Sequence, residues 1–228
     1  MKKKYIVLTG ATGIGKTAVI ESLIKQFPFE VIGLDSCQAF TFFRIATGRD
    51  DSKNFLRYLT CFLEPYETMT PESYVSKALS VIREIELKNK IPVFEGGSRS
   101  LLRALSGTIP LFIIGLKPVN NDYIINSLRK RVDGYFKNGI IEETKAGLEL
   151  GYQDTVVMKS PEVFPPIIDF LEEKISLEQA KEVMVKAMLD MHQAQMEFFN
   201  NMDIVWVEKT GNYIEIIAEM IRKITGLK

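Results

Sequence analysis

Short apolar runs alternate with helical spacing along the first half of the chain. Four runs predict buried strands, at residues 4–9, 30–35, 91–95 and 110–116. The stretches between them predict amphipathic helices over residues 16–27, 71–89 and 98–106. Thr70 and Pro71 have the residue types of an N-cap and a first helical position, so the second of these helices starts there. Strands that alternate with helices predict an α/β fold, in which helices lie on the faces of a parallel sheet.

The second half of the chain is predicted to be mostly helical from about residue 120. A helix over residues 176–199 opens with a capping box, formed by Ser176 and by Gln179 three positions later. Its apolar stripe contains three methionines, which we interpret as core packing. Residues 203–208 predict a late strand, and residues 211–226 predict a closing amphipathic helix.

Composition and charge exclude several classes of protein. Of the 228 residues, 46% are hydrophobic and 25% are charged, which is typical of a globular chain and not of a disordered one. Lysine plus arginine equals aspartate plus glutamate, at 29 each. This balance argues against coating nucleic acid through bulk charge, although it leaves room for a local basic patch.

Cysteine use and the apolar runs bear on the compartment. The two cysteines lie outside any CxxC pair, which indicates a reduced, cytoplasmic protein. The apolar start ends at Thr9, too early for the apolar region of a secretory signal. Because no run reaches the roughly 18 apolar residues of a membrane span, we expect no membrane partner.

A phosphate-binding loop follows the first predicted strand. The segment from Gly10 to Thr17, GATGIGKT, fits the pattern G-x-x-x-x-G-K-[ST] and lies between a predicted strand and a predicted helix. Gly10, with Gly13 and Gly15, lets backbone N–H groups turn toward an anion, and the helix N-terminus adds the positive end of its dipole. Lys16 supplies a cation for phosphate oxygens, and the Thr17 hydroxyl can bind magnesium. The sequence therefore predicts a phosphate cradle with Mg²⁺ as cofactor.

Acidic residues end two other predicted strands. Asp35 ends the second strand, at the edge where a sheet of this kind opens its ligand crevice. A carboxylate there can act as a base or anchor a small acceptor, although an aspartate in a turn or at a helix N-cap gives the same pattern. Glu95 ends a later strand and is the candidate for a second magnesium ligand. These residues leave the identity of the phosphate compound open.

Four segments together resemble the isopentenyltransferase family. They are the phosphate loop at 10–17, DSCQ at 35–38, TGR at 47–49 and EGGS at 95–98. LRKRV at 128–132 and DIVWVE at 203–208 are also similar to family segments, so the resemblance spans about residues 4–208. The family contains tRNA dimethylallyltransferases and the adenylate isopentenyltransferases that make cytokinins.

The resemblance implies a P-loop NTPase-like parallel sheet flanked by helices, with a mostly helical C-terminal half. Residues 1–118 would form the P-loop core with the donor and acceptor motifs. Residues 119–228 would complete the active site and return one strand to the sheet. We expect the two portions to form one compact unit.

The chemistry implied by the resemblance is alkylation of an amine by an allylic diphosphate. The phosphate loop would hold dimethylallyl diphosphate. Mg²⁺ and the side chains of Lys16, Thr17 and Arg131 would neutralise the charge on departing pyrophosphate. Asp35 would hydrogen-bond the N6 amine of adenine and take its proton as the C–N bond forms.

Further side chains receive roles from the same resemblance. Thr12 and Thr47 would orient the amine or the bridging oxygen of the donor. We interpret His192 as structural or solvated and expect surface lysines at positions 159 and 186. Candidates for the acceptor and its phosphate are Arg49, Ser98, Arg99 and Glu162.

Within the family, the chain looks more like the adenylate-type enzymes. EGGSRSLL at 95–102 resembles their version of the segment. The tRNA enzymes carry a helical insertion after this region, whereas here Gly107 runs almost directly into the strand at 110–116. MLDMHQAQME at 188–197 stands where those enzymes have a basic run, and the loss of cations disfavours a polyanionic partner. We therefore expect AMP, ADP or ATP as acceptor and no tRNA partner.

Three alternatives remain. One is a tRNA dimethylallyltransferase that lacks the insertion. The second is a small-molecule kinase, which would share the P-loop, an acid after strand two and a basic lid such as residues 129–131. The weak second magnesium acid and the intact TGR segment argue against a kinase. The third is a non-catalytic nucleotide-binding protein without an acceptor site.

Overall fold

The computed structural model describes residues 3–49 and 55–227. Within them, six parallel strands form one sheet. In chain order the strands are β1 (Tyr5–Thr9), β2 (Phe29–Gly33), β3 (Arg57–Tyr58), β4 (Ile91–Glu95), β5 (Leu111–Lys117) and β6 (Ile204–Glu208). Across the sheet the order is β3-β2-β4-β1-β5-β6, so the strand that precedes the phosphate loop lies in the interior of the sheet.

Eight α-helices of the described residues flank this sheet. The first four are α1 (Lys16–Ile24), α2 (Pro71–Leu87), α3 (Arg99–Ser106) and α4 (Asn121–Lys137). The second four are α5 (Ile140–Glu149), α6 (Phe164–Leu171), α7 (Leu177–Phe199) and α8 (Tyr213–Thr225). None of these helices is long and apolar enough to cross a membrane.

The sheet separates two hydrophobic cores. Side chains alternate between the faces of a strand, so Ile6 and Leu8 of β1 pack into one core and Val7 packs into the other. The first core contains buried side chains of α1, α4, α5, α6, α7 and α8, and the second contains those of α2 and α3 together with Phe199 at the end of α7. Both faces of the central strands are therefore covered, which explains why those strands are continuous apolar runs.

The predicted α/β class and the parallel sheet are confirmed, and most element ends agree within about two residues. Thr70 caps α2 by accepting a hydrogen bond from the Ser73 N–H, and both hydrogen bonds of the capping box at Ser176 and Gln179 are formed. The two-residue edge strand β3 was not predicted, because such a short segment carries no hydrophobic period.

The connection between α3 and β5 is short, as the sequence suggests. Helix α3 ends at Ser106 with Gly107 as its C-cap, and β5 begins at Leu111. Residues 107–110 alone join the two elements. There is accordingly no inserted domain at this point of the chain.

The methionine stripe of α7 has two different environments. Met184 and Met188 are 0% and 2% exposed and belong to the first core, as expected. Met191 is half-buried and lines a cavity at the edge of the sheet. The interpretation as core packing is therefore confirmed for Met184 and Met188 but not for Met191.

We expect Met184→Ala to lower the free energy of unfolding by about 2–5 kcal/mol, because it removes a fully buried side chain and leaves a cavity. Urea unfolding followed by circular dichroism measures the change. The neighbouring Val183 is 46% exposed, so Val183→Ala is a matched control with an expected change within about 0.5 kcal/mol. Equal effects of the two substitutions would contradict the described orientation of α7.

Candidate active site

Four of the predicted segments meet at the carboxyl edge of the sheet. The paired register places Glu95 of β4 beside Leu8 of β1 and Gly33 of β2, so these three strands end level with one another. The loops that follow them surround a cavity of about 480 Å³. Its lining includes residues of the phosphate loop, of 35–38, of 46–48 and of 95–98, together with side chains of α4 and α7.

Side chains of α7 hold the phosphate loop from one side. The carbonyl of Thr12 lies 2.8 Å from Nδ1 of His192, and because a carbonyl can only accept, Nδ1 carries the proton. The Thr12 N–H donates to Oε1 of Gln195 at 2.7 Å, and Nε2 of Gln195 donates to the carbonyl of Gly97 at 3.1 Å. Gln195 therefore joins the phosphate loop to the loop after β4.

Two further side chains hold the same loop from α4 and from the end of β6. Ser127 Oγ donates to the Gly13 carbonyl at 2.6 Å. Lys209 Nζ donates to the Ile14 carbonyl at 3.0 Å and to the Tyr123 hydroxyl at 2.8 Å. Elements far along the chain thus fix the peptide groups of the loop.

Gly13 shows why the loop needs its glycines. Its φ of +79° lies in the left-handed region, and an added Cβ would lie 2.8 Å from the Leu128 side chain of α4. Since residues with a Cβ rarely adopt this conformation, glycine allows both the turn and the close approach of α4.

The Lys16 side chain folds back onto the start of the phosphate loop. Its Nζ donates to the carbonyls of Gly10 at 2.9 Å and Ala11 at 3.3 Å. Burial lowers the pKa of Lys16, while the nearby carboxylates of Glu95 and Asp35 oppose that shift. A buried ammonium with these partners is placed to bind an anion that enters the cavity.

Asp35 lines the cavity, and one oxygen of its carboxylate is bound within its own turn. Its Oδ1 accepts from the N–H groups of Cys37 at 2.9 Å and Gln38 at 3.3 Å, a turn that fixes the side chain. Oδ2 makes no hydrogen bond within the described part of the chain. Burial, with the added charge of Asp35, raises the pKa of the Cys37 thiol to about 12. The thiol therefore stays protonated, and the chemically available group is the carboxylate.

The TGR segment is built around a close approach to α4. Thr47 Oγ1 donates to the Phe43 carbonyl at 2.6 Å, so the hydroxyl is used within its own loop. Gly48 has a φ of +65°, and a Cβ there would lie 2.6 Å from Nη2 of Arg131. Arg131 Nε donates to the Tyr135 hydroxyl at 2.6 Å, and its guanidinium lines the cavity. Glycine at position 48 therefore makes room for the arginine.

Glu143 of α5 binds the backbone just before the TGR segment. Its two carboxylate oxygens accept from the N–H groups of Ile45 at 2.8 Å and Ala46 at 2.9 Å. Burial raises the pKa of Glu143, and the two N–H donors oppose this shift by stabilising the ionised form. The position of Thr47 thus depends on a side chain almost one hundred residues away.

Two protein-family models match this chain. A model of the family described as isopentenyl transferase matches residues 3–116, and a model of IPP transferase matches residues 103–202. The chain belongs to the isopentenyl transferase family. The resemblance drawn from the four sequence segments is confirmed.

Curated relatives of this isopentenyl transferase family member include enzymes of both acceptor types. A tRNA dimethylallyltransferase of Finegoldia magna is 34% identical over 109 residues, which cover 46% of this chain and 35% of the relative. One from Thermoanaerobacter sp. is 20% identical over 311 aligned positions, covering 99% of each chain. Adenylate isopentenyltransferase 1 of Arabidopsis thaliana is 32% identical over 108 residues, covering 46% of this chain and 30% of the relative. The stronger local matches therefore span about a third of the curated relatives' length.

Solved structures of the same kind show the fold. The tRNA isopentenylpyrophosphate transferase of Staphylococcus epidermidis has a TM-score of 0.88 at 17% identity and covers 97% of this chain and 100% of its own. The corresponding protein of Bacillus halodurans has a TM-score of 0.85 at 19% identity, covering 99% and 98%. At these identities the likeness supports the P-loop NTPase-like architecture and not a substrate.

The expectation that tRNA is not a partner of this family member is wrong. It conflicts with the matches to tRNA dimethylallyltransferases, one of which aligns over 99% of this chain. The argument from the missing basic run also fails physically. His192 and Gln195 of that run bond to the phosphate loop, so the lack of cations at these two positions says nothing about a nucleic-acid partner.

The predicted site residues of this isopentenyl transferase fall into two groups. Ser98 and Glu162 line the cavity, and Glu162 accepts a hydrogen bond from the Ser160 hydroxyl. Arg49 lies outside the lining and donates to the carbonyls of residues 40 and 41. Arg99 is exposed and also lies outside it. The remaining predicted residues that line the cavity are Thr12, Gly13, Gly15, Lys16, Thr17, Asp35, Thr47 and Arg131.

Four further residues singled out in the sequence lie outside the cavity lining. Gly10 is not part of the lining, but its carbonyl accepts from Lys16. Lys159 forms an exposed ion pair with Asp154, and Lys186 is exposed, as expected of surface lysines. The structural interpretation of His192 is confirmed, since it is buried and bonded to the phosphate loop.

Several supporting residues were missed by the sequence reasoning. Gln195 interrupts the apolar stripe of α7, and this single polar position was the available signal for an inward-facing contact. Ser127, Glu143 and Lys209 carried no comparable signal, because polar residues of these types are common on helix surfaces and after strands.

We expect the stability of the protein to fall as the pH drops below about 6.5, in part through His192. Burial lowers the pKa of this imidazole, so the unfolded chain takes up the proton first and unfolding becomes more favourable. His192→Asn keeps a donor for the Thr12 carbonyl and removes the titration. Urea unfolding between about pH 5 and about pH 8 should therefore show a weaker acid loss in the variant than in the wild type. Parallel curves for both proteins would count against this assignment.

Proposed function

We propose that this protein transfers a dimethylallyl group from dimethylallyl diphosphate to the N6 amine of an adenine, with an adenosine of tRNA as the acceptor. One observation carries the proposal. Asp35, with a carboxylate oxygen available, lines the same 480 Å³ cavity as the phosphate loop. A base and an anion cradle that share one space fit a reaction in which an amine displaces a diphosphate.

The donor diphosphate binds in the phosphate loop. Lys16 and Arg131 both line the cavity and stabilise the negative charge that grows on the leaving pyrophosphate. The Thr17 hydroxyl fits Mg²⁺, an ion that prefers oxygen ligands and that neutralises diphosphate oxygens when bound. These groups are fixed before the donor arrives, so little reorganisation accompanies the reaction.

The dimethylallyl chain packs against the apolar wall of the cavity. Val157, Val163, Phe164 and Met188 line it and are between 0% and 6% exposed. An apolar wall beside an anion cradle suits a donor with a hydrocarbon tail and a charged head. It also keeps water away from the allylic carbon, which limits hydrolysis of the donor.

Asp35 acts as the general base. Its Oδ1 is held by two backbone N–H groups, so Oδ2 is left to accept a hydrogen bond from the adenine N6 amine. As the nitrogen attacks the allylic carbon, the C–O bond to pyrophosphate breaks, and Oδ2 takes the proton that the amine loses.

The choice of tRNA as acceptor is supported by the relatives. The Thermoanaerobacter enzyme that aligns over 99% of both chains is a tRNA dimethylallyltransferase. Its alignment of 311 positions exceeds the 228 residues of this chain by 83, so the relative contains segments that this chain lacks. We therefore propose a tRNA-modifying enzyme that is shorter than this relative and that contacts less of the RNA.

A free adenine nucleotide is the second candidate acceptor. Residues 107–110 connect α3 directly to β5, so no inserted domain lies there that could bind a large substrate. This short connection favours a free nucleotide as the acceptor. The match to the Arabidopsis adenylate isopentenyltransferase over 108 residues also supports it.

We expect Asp35→Asn to reduce kcat by about 10²–10⁴-fold, the usual contribution of a positioned base. Asparagine retains an oxygen for the two backbone N–H groups, so KM for dimethylallyl diphosphate should change little. Steady-state kinetics with a radiolabelled donor measures both values. Asp122→Asn, an exposed position at the start of α4, is the matched control and should keep the wild-type rate. A variant at position 35 with full kcat would remove the proposed base.

The acceptor is identified by a direct comparison. Purified protein, Mg²⁺ and dimethylallyl diphosphate are incubated separately with unmodified tRNA, AMP and ATP, and products are analysed by mass spectrometry. We expect a prenyl-sized mass gain on tRNA, lost when the target adenosine is replaced by guanosine. Gain on free nucleotide alone would replace tRNA with the second candidate. Consumption of ATP with added small alcohols or nucleosides, without any prenyl transfer, would favour the kinase.

A further inference from the structure

Three cations follow one another on α4, and each has different surroundings. The Arg129 guanidinium forms an ion pair with the Glu182 carboxylate of α7, with Nη2 and Oε2 2.9 Å apart. Arg131 Nε donates to the Tyr135 hydroxyl at 2.6 Å. Lys130 lies between them, is exposed, and makes no hydrogen bond or ion pair with the residues that the structure describes. Its ammonium is therefore available to a ligand.

Lys130 lies at the opening of the cavity. Ser127, Lys130 and Arg131 share one face of α4, since they are three and four positions apart, and all three line the cavity. Ser127 binds the Gly13 carbonyl of the phosphate loop. Ser127 and Arg131 are half-buried, whereas Lys130 is exposed. Lys130 therefore meets ligand groups at the opening, and Arg131 meets those inside.

The acidic groups of the cavity do not use this lysine. Glu95 forms an ion pair of 2.7 Å with Arg57 of β3, and Glu162 accepts a hydrogen bond from the Ser160 hydroxyl. Asp35 is bound in its own turn. The charge of the lysine is thus uncompensated within the described part of the chain. An ammonium in that state suits an anionic ligand, because hydrogen bonds between charged partners are the strong ones.

The two substrates of the proposed reaction differ in where their phosphates lie. The donor diphosphate is held inside the cavity by Lys16 and Arg131, and the adenine must also enter to reach Asp35. An enzyme that acts on a base takes it out of the stack into a pocket, so the sugar-phosphate backbone stays outside. The phosphates next to the target adenosine then lie at the opening, where Lys130 is exposed.

We propose that Lys130 binds a phosphate group of the acceptor and holds it at the opening while the adenine lies inside. This inference rests on the proposed function, because it needs the adenine to enter the cavity. On tRNA the phosphate belongs to the backbone beside the target adenosine, and on a free nucleotide it is the 5′-phosphate. Contacts of this kind position a nucleic acid without reading its sequence. A lysine suits the task, since its flexible stem lets a point charge follow a phosphate.

The salt dependence of tRNA binding tests the contact without any chemistry. Kd for unmodified tRNA is measured by filter binding between about 50 and about 200 mM KCl, for the wild type, Lys130→Ala and Lys130→Arg. Each phosphate that a cation neutralises adds about 0.7–0.9 to the slope of log Kd against log salt concentration. We expect Lys130→Ala to lower the slope by this amount. Lys130→Arg retains the charge and should restore most of the slope.

Lys90→Ala is the matched control. Lys90 is exposed and directly precedes β4, whose other end carries Glu95 on the cavity wall. It therefore lies at the opposite edge of the sheet from the cavity, and its replacement removes the same unit of charge. This variant should keep the wild-type slope, which separates a local phosphate contact from the effect of net charge. Thermal unfolding verifies that all variants are folded.

Small acceptors distinguish the two sources of the phosphate. Should AMP prove to be an acceptor, prenyl transfer is measured with AMP and with adenosine, which lacks the phosphate. We expect Lys130→Ala to raise KM for AMP by about 2–5-fold, the usual range for an exposed charge pair, and to leave KM for adenosine at the wild-type value. KM for dimethylallyl diphosphate should also stay the same, since the donor is held by other groups.

The outcomes separate this inference from the proposed function. An unchanged salt slope and an unchanged KM for AMP in folded Lys130→Ala, with prenyl transfer intact in the wild type, would overturn the phosphate contact and leave the transferase standing. An equal loss of slope in Lys90→Ala would reduce the effect to net charge and remove the site. A rise in KM for dimethylallyl diphosphate alone would assign Lys130 to the donor instead. A wild type that neither binds tRNA nor prenylates a nucleotide would count against both.

Discussion

The geometry of the phosphate loop is the constraint on which the rest of the site depends. A loop with glycines in the left-handed region has few internal bonds to hold it, and its backbone freedom must be removed by neighbours. Those neighbours are His192 and Gln195 of α7, Ser127 of α4 and Lys209 after β6. The glycine pattern of the loop is therefore local in sequence, but its shape is fixed by the second half of the chain.

Much of the fold and the centre of the site followed from local sequence patterns. The phosphate loop, Asp35 and Glu95 were found because each lies where an apolar strand ends, and the carboxyl ends of parallel strands share one edge. Arg57 could not be found this way. Its meeting with Glu95 depends on how a two-residue strand joins the far edge of the sheet, and no short-range pattern records that pairing.

The acceptor was predicted wrongly from the sequence, and the orientation of α7 shows one reason. The segment was judged by the cations it lacks, as though its whole surface faced solvent. Two of its polar side chains instead face inward and bond to the phosphate loop. The charge of a helix therefore indicates a partner only after its buried and exposed positions are known.

The long reach of the contacts around the phosphate loop has a consequence for biosynthesis. Thr12 and Gln195 are 183 positions apart, and Ile14 and Lys209 are 195 apart. Chains emerge from the ribosome N-terminus first, at roughly 5–20 residues per second, so the loop exists for many seconds before its partners are made. A nascent chain that has already formed β1 and α1 accordingly lacks the hydrogen bonds that hold the loop, and these form only when α7 and the residues after β6 have folded onto it.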